Sequence, residues 1–307
     1  MTAARSVTVV GSLNIDMLAH SERLPEPGET LVGDRFVMTP GGKGANQAVA
    51  AARLGAHTAF LSRVGTRQYG SDLLQALEGE GIDCRAVHRD PQALPGIAVI
   101  MVASRDGENS IVYVPGSNAQ LSADDVQAAR AQLQASAVVV AQLEVPVPAI
   151  QAAFEIARAA GAITVLNAAP ALAVPAELLA LSDWLVVNET EALLMAGGEA
   201  SMEVSAAAEC LRARGPAQVL VSLGAKGALL CNAEGQVLLP AQAVKAVETV
   251  GAGDTLVGGL AAALAEGQGA QAAVRLGQAA AALAVSRPGV QDAMPRRTEL
   301  GAAFAPR

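Results

Sequence analysis

Short, uninterrupted runs of β-branched and apolar residues recur along this chain, separated by Ala- and Leu-rich stretches of helical character. Val7 to Val10, Thr58 to Leu61, Ala137 to Ala141, Ile163 to Leu166, Trp184 to Val187 and Val219 to Val221 read as strands. Ala45 to Leu54, Pro148 to Ala160 and Val204 to Arg214 read as helices. Strands that stay apolar on both sides, rather than alternating with polar residues, belong to sheets covered by helices on both faces. The expected fold is therefore α/β, a doubly wound, mostly parallel sheet flanked by helices. With 307 residues, 52% of them hydrophobic and only 16% charged, the chain can bury a large core.

Two segments break the rhythm. Residues 16–38 hold Pro25, Pro27 and Gly28 between the strand-like pieces Met17–His20 and Leu31–Val37. Residues 97–114 hold Ile97–Val102 and Ser110–Val114 around Arg105-Asp106-Gly107-Glu108, and Asp-Gly is a strong hairpin dipeptide. No helical stretch separates either pair, so both are read as a discontinuous antiparallel excursion, a small β-sheet lid. Two ordinary surface hairpins would give the same pattern. No repeat or low-complexity linker divides the rest, which predicts one α/β domain over residues 1–307.

Net charge is −8, and lysine occurs only at positions 43, 226 and 245. Such a chain is poorly suited to nucleic acid or to an anionic membrane surface. The 18-residue uncharged stretch Ala159–Ala176 contains Gly161, Asn167, Pro170 and Pro175, which disfavour a spanning helix. Asn14 and Asp16 interrupt the first apolar run before any export signal can develop. The cysteines, Cys84, Cys210 and Cys231, are widely spaced, as are His20, His57 and His88, and neither set has metal-ligand spacing. A cytoplasmic protein with reduced thiols is expected.

The chemistry gathers in three places. Gly41-Gly42-Lys43-Gly44-Ala45-Asn46-Gln47-Ala48 opens a helix but is no Walker A loop, because Val37 and Gly44 stand where that loop needs Gly and Ser or Thr. It is either a structural turn or a close backbone approach to a ligand beside Lys43 and Asn46. Glu248-Thr249-Val250-Gly251-Ala252-Gly253-Asp254-Thr255 also opens a helix. Its amides can cradle developing negative charge, and Asp254 is either functional or a helix-capping acid. Finally, Asn14, Asp16, Glu144, Asn188 and Glu191 follow strands, where open α/β sheets bind ligands. Converging carboxylates and amides suit a polyhydroxy ligand, and Glu191 could organise hydrated magnesium. Asn188 and Glu191 fit a helix cap equally well.

Together these motifs resemble the ribokinase family of ATP-dependent carbohydrate kinases. The resemblance runs from Gly11 to about Pro295 and rests on Gly11-Ser12-Leu13-Asn14-Ile15-Asp16, Gly41–Ala48, Asn188-Glu189-Thr190-Glu191, Ser222-Leu223-Gly224 and Thr249–Asp254, all in the family's order. It implies that Asn14, Asp16, Gly42, Lys43, Asn46 and Glu144 hold the sugar, and that Asn188, Ser222, Gly224 and Gln278 line the ATP side. Glu191 would place Mg2+, and Asp254 would act as base on the sugar's primary hydroxyl. The amides of Gly251, Ala252 and Gly253 would stabilise the transferring phosphoryl group. A potassium ion would sit near Glu248 and the carbonyls of Val250, Ala284, Arg287 and Gly289. The lid would close over the sugar and pair two subunits into a homodimer.

The chain departs from the family at Glu248, usually Asp, at Ala293, commonly Ser, at Gln278, commonly His, and at Val187, usually Pro. The first two leave the strength of potassium activation open. The activity the resemblance implies is phosphorylation of the 5-hydroxyl of D-ribose. A kinase for another sugar or a nucleoside is the alternative, although seven aromatic residues offer few platforms for a base. A sugar-binding regulator without catalysis is the less favoured reading.

Overall fold

The structure is a computed structural model describing residues 6–105, 108–198 and 202–301. Its strands, in chain order, are β1 (Ser6–Val10), β2 (Asn14–Ser21), β3 (Arg35–Gly41), β4 (His57–Gly65), β5 (Asp83–Asp90), β6 (Gly96–Ala103) and β7 (Asn109–Val114). There follow β8 (Val138–Gln142), β9 (Ile163–Asn167), β10 (Trp184–Asn188), β11 (Gln218–Ser222), β12 (Ala228–Asn232) and β13 (Gly235–Leu239). Nine form the main sheet in the order β13-β12-β11-β10-β9-β8-β1-β4-β5. All neighbours from β5 to β11 pair parallel, and β12 and β13 add an antiparallel edge.

The apolar runs have the expected cause. Along β1 and β8, Val7, Val9, Val138 and Val140 enter one core cluster, while Val10, Val139 and Ala141 enter the other. The helices Lys43–Arg53, Gly70–Gly79, Ala252–Ala265 and Ala270–Val285 cover the first face. The helices Val147–Ala159 and Val204–Arg212 are among those covering the second. Both faces being dry, polar alternation never develops.

Strand order also positions the site. From β1 the chain moves outward to β4 and β5, and β8 then returns to the other side of β1. The connections after β1 and β8 therefore diverge, opening a crevice at their carboxyl ends, the place where such sheets bind ligands. Ser12 and Glu144 lie there, and the Ser12 hydroxyl donates to Glu144 Oε2 at 2.5 Å.

The two rhythm-breaking segments form a second sheet, ordered β3-β2-β6-β7, with β2 and β6 parallel and both outer pairs antiparallel. Its strands begin and end somewhat differently from the expectation. β2 starts at Asn14, directly out of the β1 loop, and β3 spans Arg35–Gly41 rather than Leu31–Val37. Pairing fixes the latter shift, because Asp34 N–H closes on the His20 carbonyl and Leu31 and Val32 stay outside the ladder. The Asp106-Gly107 turn lies outside the described residues. Register places Thr39, Asp16, Ala98 and Tyr113 in one row across this sheet, and Met38, Met17, Val99 and Val112 in the next, facing the opposite way.

Candidate active site

Gly42, with φ of 92°, turns the chain from β3 into the helix Lys43–Arg53. An L side chain rarely adopts that angle. Gly41 is needed for a second reason, since a Cβ there would lie 2.1 Å from Asp16 Oδ2. The turn drives the helix N-terminus into the crevice, where Lys43 N–H donates to Glu144 Oε2 at 3.0 Å. Asn46 and Gln47, one turn on, point inward and are buried.

The second glycine stretch arrives from the other end of the chain. Gly251, with φ of 79°, is the N-cap of the helix Ala252–Ala265, and no side chain caps it. Asp254 is thus not a capping acid. Its carboxylate accepts one amide hydrogen on each oxygen, from Asn46 Nδ2 to Oδ2 and from Gln47 Nε2 to Oδ1, both at 2.9 Å. Three further contacts fix those amides. Gln142 Nε2 donates to Gln47 Oε1 at 2.6 Å, Gln47 Nε2 also donates to Asn167 Oδ1 at 2.9 Å, and Gln291 Nε2 donates to Asn46 Oδ1 at 2.9 Å. Arg53, at the far end of the same helix, holds the Gln291 and Met294 carbonyls. Of the three cradle amides, that of Ala252 makes a long 3.3 Å bond to the Thr249 carbonyl.

A cavity of about 130 Å³ joins these pieces, lined by Lys43, Asn188, Glu191, Ser222, Gly251 and Asp254 among others. Asn188 ends β10 and caps the next helix. Its Oδ1 accepts Glu191 N–H, while Asn188 N–H donates to Glu191 Oε2, each at 2.8 Å. The helix-cap alternative is therefore realised, yet both residues also face the cavity. Ser222 ends β11 and Gly224 opens the turn that follows. Gln278 spends its amide on the Leu239 carbonyl at 2.8 Å. Glu248 reaches the loop after the last long helix, where its Oε2 accepts Gly289 N–H at 2.9 Å. The Ala284 carbonyl accepts Arg287 N–H, and Ala293 is buried.

Electrostatics tie the two sides together. Burial pushes the Asp16 carboxyl up to about 7, aided by the charges of Glu144 and Asp254 and opposed by Lys43. Burial likewise raises Glu144 against Lys43 and the Ser12 hydroxyl, and raises Glu191 against the Asn188 amide and Lys43. For Lys43 burial acts downward, but the surrounding carboxylates outweigh it and its pKa stands above the usual value. One ammonium thus holds several partly desolvated carboxylates around a single space. Asp16 Oδ1 is buried there without a hydrogen-bond partner, an acceptor waiting for a ligand donor.

The chain resembles known proteins along nearly its whole length. A model of the pfkB family carbohydrate kinase matches residues 4–297. The chain belongs to that family. A ribokinase of Haemophilus influenzae is 41% identical over 297 residues, covering 96% of this chain and 97% of the relative. A deoxyribokinase of Salmonella typhi is 34% identical over 292 residues, covering 94% and 95%. Among solved structures, Arabidopsis thaliana ribokinase complexed with ribose and ATP superposes with a TM-score of 0.88 at 33% identity, covering 97% of each chain.

Sequence reasoning singled out Asp254 and Asn46 but assigned nothing to Gln47, Gln142, Asn167 or Gln291, which hold them. Ser12, Gln142 and Asn167 were reachable, since each lies at or just beyond the carboxyl end of a strand. Gln291 carries no local signal, because only the tertiary fold brings it to Asn46. Tyr113 and Asn118 were also missed. Asn118 Nδ2 donates to Asn14 Oδ1 at 2.7 Å and to the Tyr113 hydroxyl at 3.2 Å.

Proposed function

We propose that this carbohydrate kinase transfers the γ-phosphoryl group of ATP to the 5-hydroxyl of D-ribose. The observation that carries the reading is Asp254, a carboxylate clamped by two amides beside a glycine-turned helix N-terminus. It shares its crevice with Lys43 and with the unpartnered oxygen of Asp16. Asn14, Asp16, Gly42, Lys43, Asn46 and Glu144 bind the sugar, and Asn188, Ser222, Gly224 and Gln278 border the nucleotide. Asp254 accepts the proton of the 5-hydroxyl as that oxygen bonds to phosphorus and the bond from phosphorus to the ADP oxygen breaks. A carboxylate serves here because the attacking oxygen becomes acidic only as it transfers. Lys43 and the amides at Gly251, Ala252 and Gly253 meet the charge on the moving group, the main demand of phosphoryl transfer.

Among the described residues, no group of three His, Cys, Asp or Glu side chains could hold a metal unaided. Glu191, which lines the cavity, would hold a magnesium ion through water, and the ion would neutralise phosphate charge. For potassium, the support is the Glu248–Gly289 tie, which brings the turn that carries Val250 near the Arg287–Gly289 loop and the helix end at Ala284. The second sheet is read as a lid over the sugar. Its outer face exposes Phe36, Met38, Val99, Val112 and Val114, an apolar patch that a second copy would cover in a homodimer. No helix among the described residues is long and apolar enough to cross a membrane, and a cytoplasmic location accords with the free cysteines.

The test is Asp254→Asn. Turnover of ribose with magnesium-ATP should fall by at least about 10³-fold while calorimetric ribose affinity stays within a few-fold. Unchanged turnover would refute Asp254 as the base, and ribose binding without ATP consumption by the unmodified protein would favour a regulator.

A further inference from the structure

Tyr113 lies on β7, in the row that runs Asp16, Ala98, Tyr113 across the second sheet. Neighbouring strands stand about 4.8 Å apart, so Asp16 and Tyr113 flank Ala98 at roughly 10 Å between their backbones. Ala98 is a small buried floor between two long polar side chains on one face. The phenol is half-buried, and burial, with the charge of Glu144, pushes it up to about 12. It therefore stays protonated as a hydrogen-bond donor.

Its one visible partner settles which way that proton turns. Asn118 is fully buried; its Oδ1 accepts Leu13 N–H at 3.0 Å, and its amide nitrogen divides its two hydrogens between Asn14 and Tyr113. The Tyr113 oxygen is the acceptor in that contact, which leaves its own O–H to donate elsewhere. Across Ala98, Asp16 Oδ1 is a buried acceptor without a partner. A donor and an acceptor on one face of the sheet, on either side of a methyl floor, match a single hydroxyl, which takes one hydrogen bond and gives one.

We infer that Tyr113 is a specificity-determining residue that reads the 2-hydroxyl of the sugar together with Asp16. The inference rests on the ribose-kinase reading above. With the 5-hydroxyl at Asp254, the C1–C2 edge of a furanose is the edge remote from the acceptor and turned toward the strands that carry Asp16 and Tyr113. Ribose and 2-deoxyribose differ by that hydroxyl alone. A site with a buried donor and acceptor built for it leaves both unpaired when 2-deoxyribose binds, and so discriminates against it.

The experiment compares kcat/KM for ribose and 2-deoxyribose in the unmodified enzyme and in Tyr113→Phe, which keeps the ring and removes only the hydroxyl. The unmodified enzyme should favour ribose. In Tyr113→Phe, ribose kcat/KM should fall about 10-fold while the value for 2-deoxyribose stays within twofold, so the preference shrinks about 10-fold. Equal losses on both sugars, or no change in their ratio, would overturn the inference and leave the kinase reading intact. A wild-type enzyme inactive on ribose would overturn the kinase reading itself, and the inference with it. Because the chain has two tyrosines, Tyr69 and Tyr113, 13Cζ-tyrosine labelling gives a readout without turnover. The Tyr113 signal should move on adding ribose and not on adding 2-deoxyribose; identical responses to both sugars would contradict the assignment.

Discussion

Replacing Asp16 with Asn should make the sugar-free protein more stable and, at the same time, unable to hold its substrate well. Burial and two neighbouring carboxylates raise the Asp16 carboxyl from 3.8 to about 7. In the unfolded chain it ionises near the usual value, so between these two pH values the folded state binds one proton more than the unfolded state. Stability contributed by the protonated group is complete below pH 4 and is lost as pH rises through about 7, at up to about 1.4 kcal/mol per pH unit. Asn has no such dependence. From pH 5 to pH 8 the unmodified protein should therefore lose about 3 kcal/mol relative to Asp16→Asn. With 307 residues and an unfolding entropy of about 2.1 cal/mol/K per residue, the gap in Tm should widen by roughly 4 to 5 °C in favour of the variant. Scanning calorimetry of both proteins at pH 5, 6, 7 and 8 measures it. A gap that stays constant with pH, or narrows as pH rises, would refute the claim that Asp16 is a strained, desolvated acceptor. Added ribose should raise the Tm of the unmodified protein and barely move the variant. The same titration should weaken ribose binding to the unmodified enzyme about 10-fold between pH 8 and pH 6, as the acceptor becomes protonated.

Gln291→Met removes the donor that fixes the Asn46 amide and should lower kcat by about 10- to 100-fold with ribose affinity little changed, as measured by initial rates beside calorimetry. Gln291→His, which restores an N–H of similar reach, should recover part of that loss; equal weakening of binding and turnover in the Met variant would mark Gln291 as merely structural. Asn188→Ala deletes a reciprocal helix cap that also borders the cavity. It should cost about 1 kcal/mol of stability by denaturant titration and raise the KM for ATP more than that for ribose. If the proposed dimer forms through the exposed apolar face of the second sheet, Val112→Lys should convert it to a monomer in sedimentation equilibrium, and an unshifted mass would refute that contact.

The main sheet was legible because its physics is local. Each short run such as Val138–Gln142 is apolar on both faces whatever lies beside it. Neither edge was: charged and exposed residues interrupt β5, and Gln236 and other exposed positions leave β12–β13 looking like an ordinary turn-rich segment. The second sheet is legible as a separate small sheet, but its mixed topology is not. The sequence predicts an antiparallel excursion, whereas the central β2–β6 pair that joins its two hairpin-like halves is parallel, a pairing that no single strand encodes. In the site, the strand-end and glycine-turn residues announced themselves. Gln47 and Gln291 did not, because a buried amide's role is defined by partners 95 to 245 positions away. For Asp254 the sequence offers both a cap and a functional acid; in the structure its carboxylate accepts two buried amides and caps no helix.

The most direct test of the central claim is to measure magnesium-ATP turnover over a panel of ribose, 2-deoxyribose, fructose and adenosine, with and without potassium, and to locate the phosphate on the product by NMR. Ribose should dominate, with the phosphate on O5. A different preferred acceptor, a phosphate on another oxygen, or no ribose-dependent ADP release would contradict it.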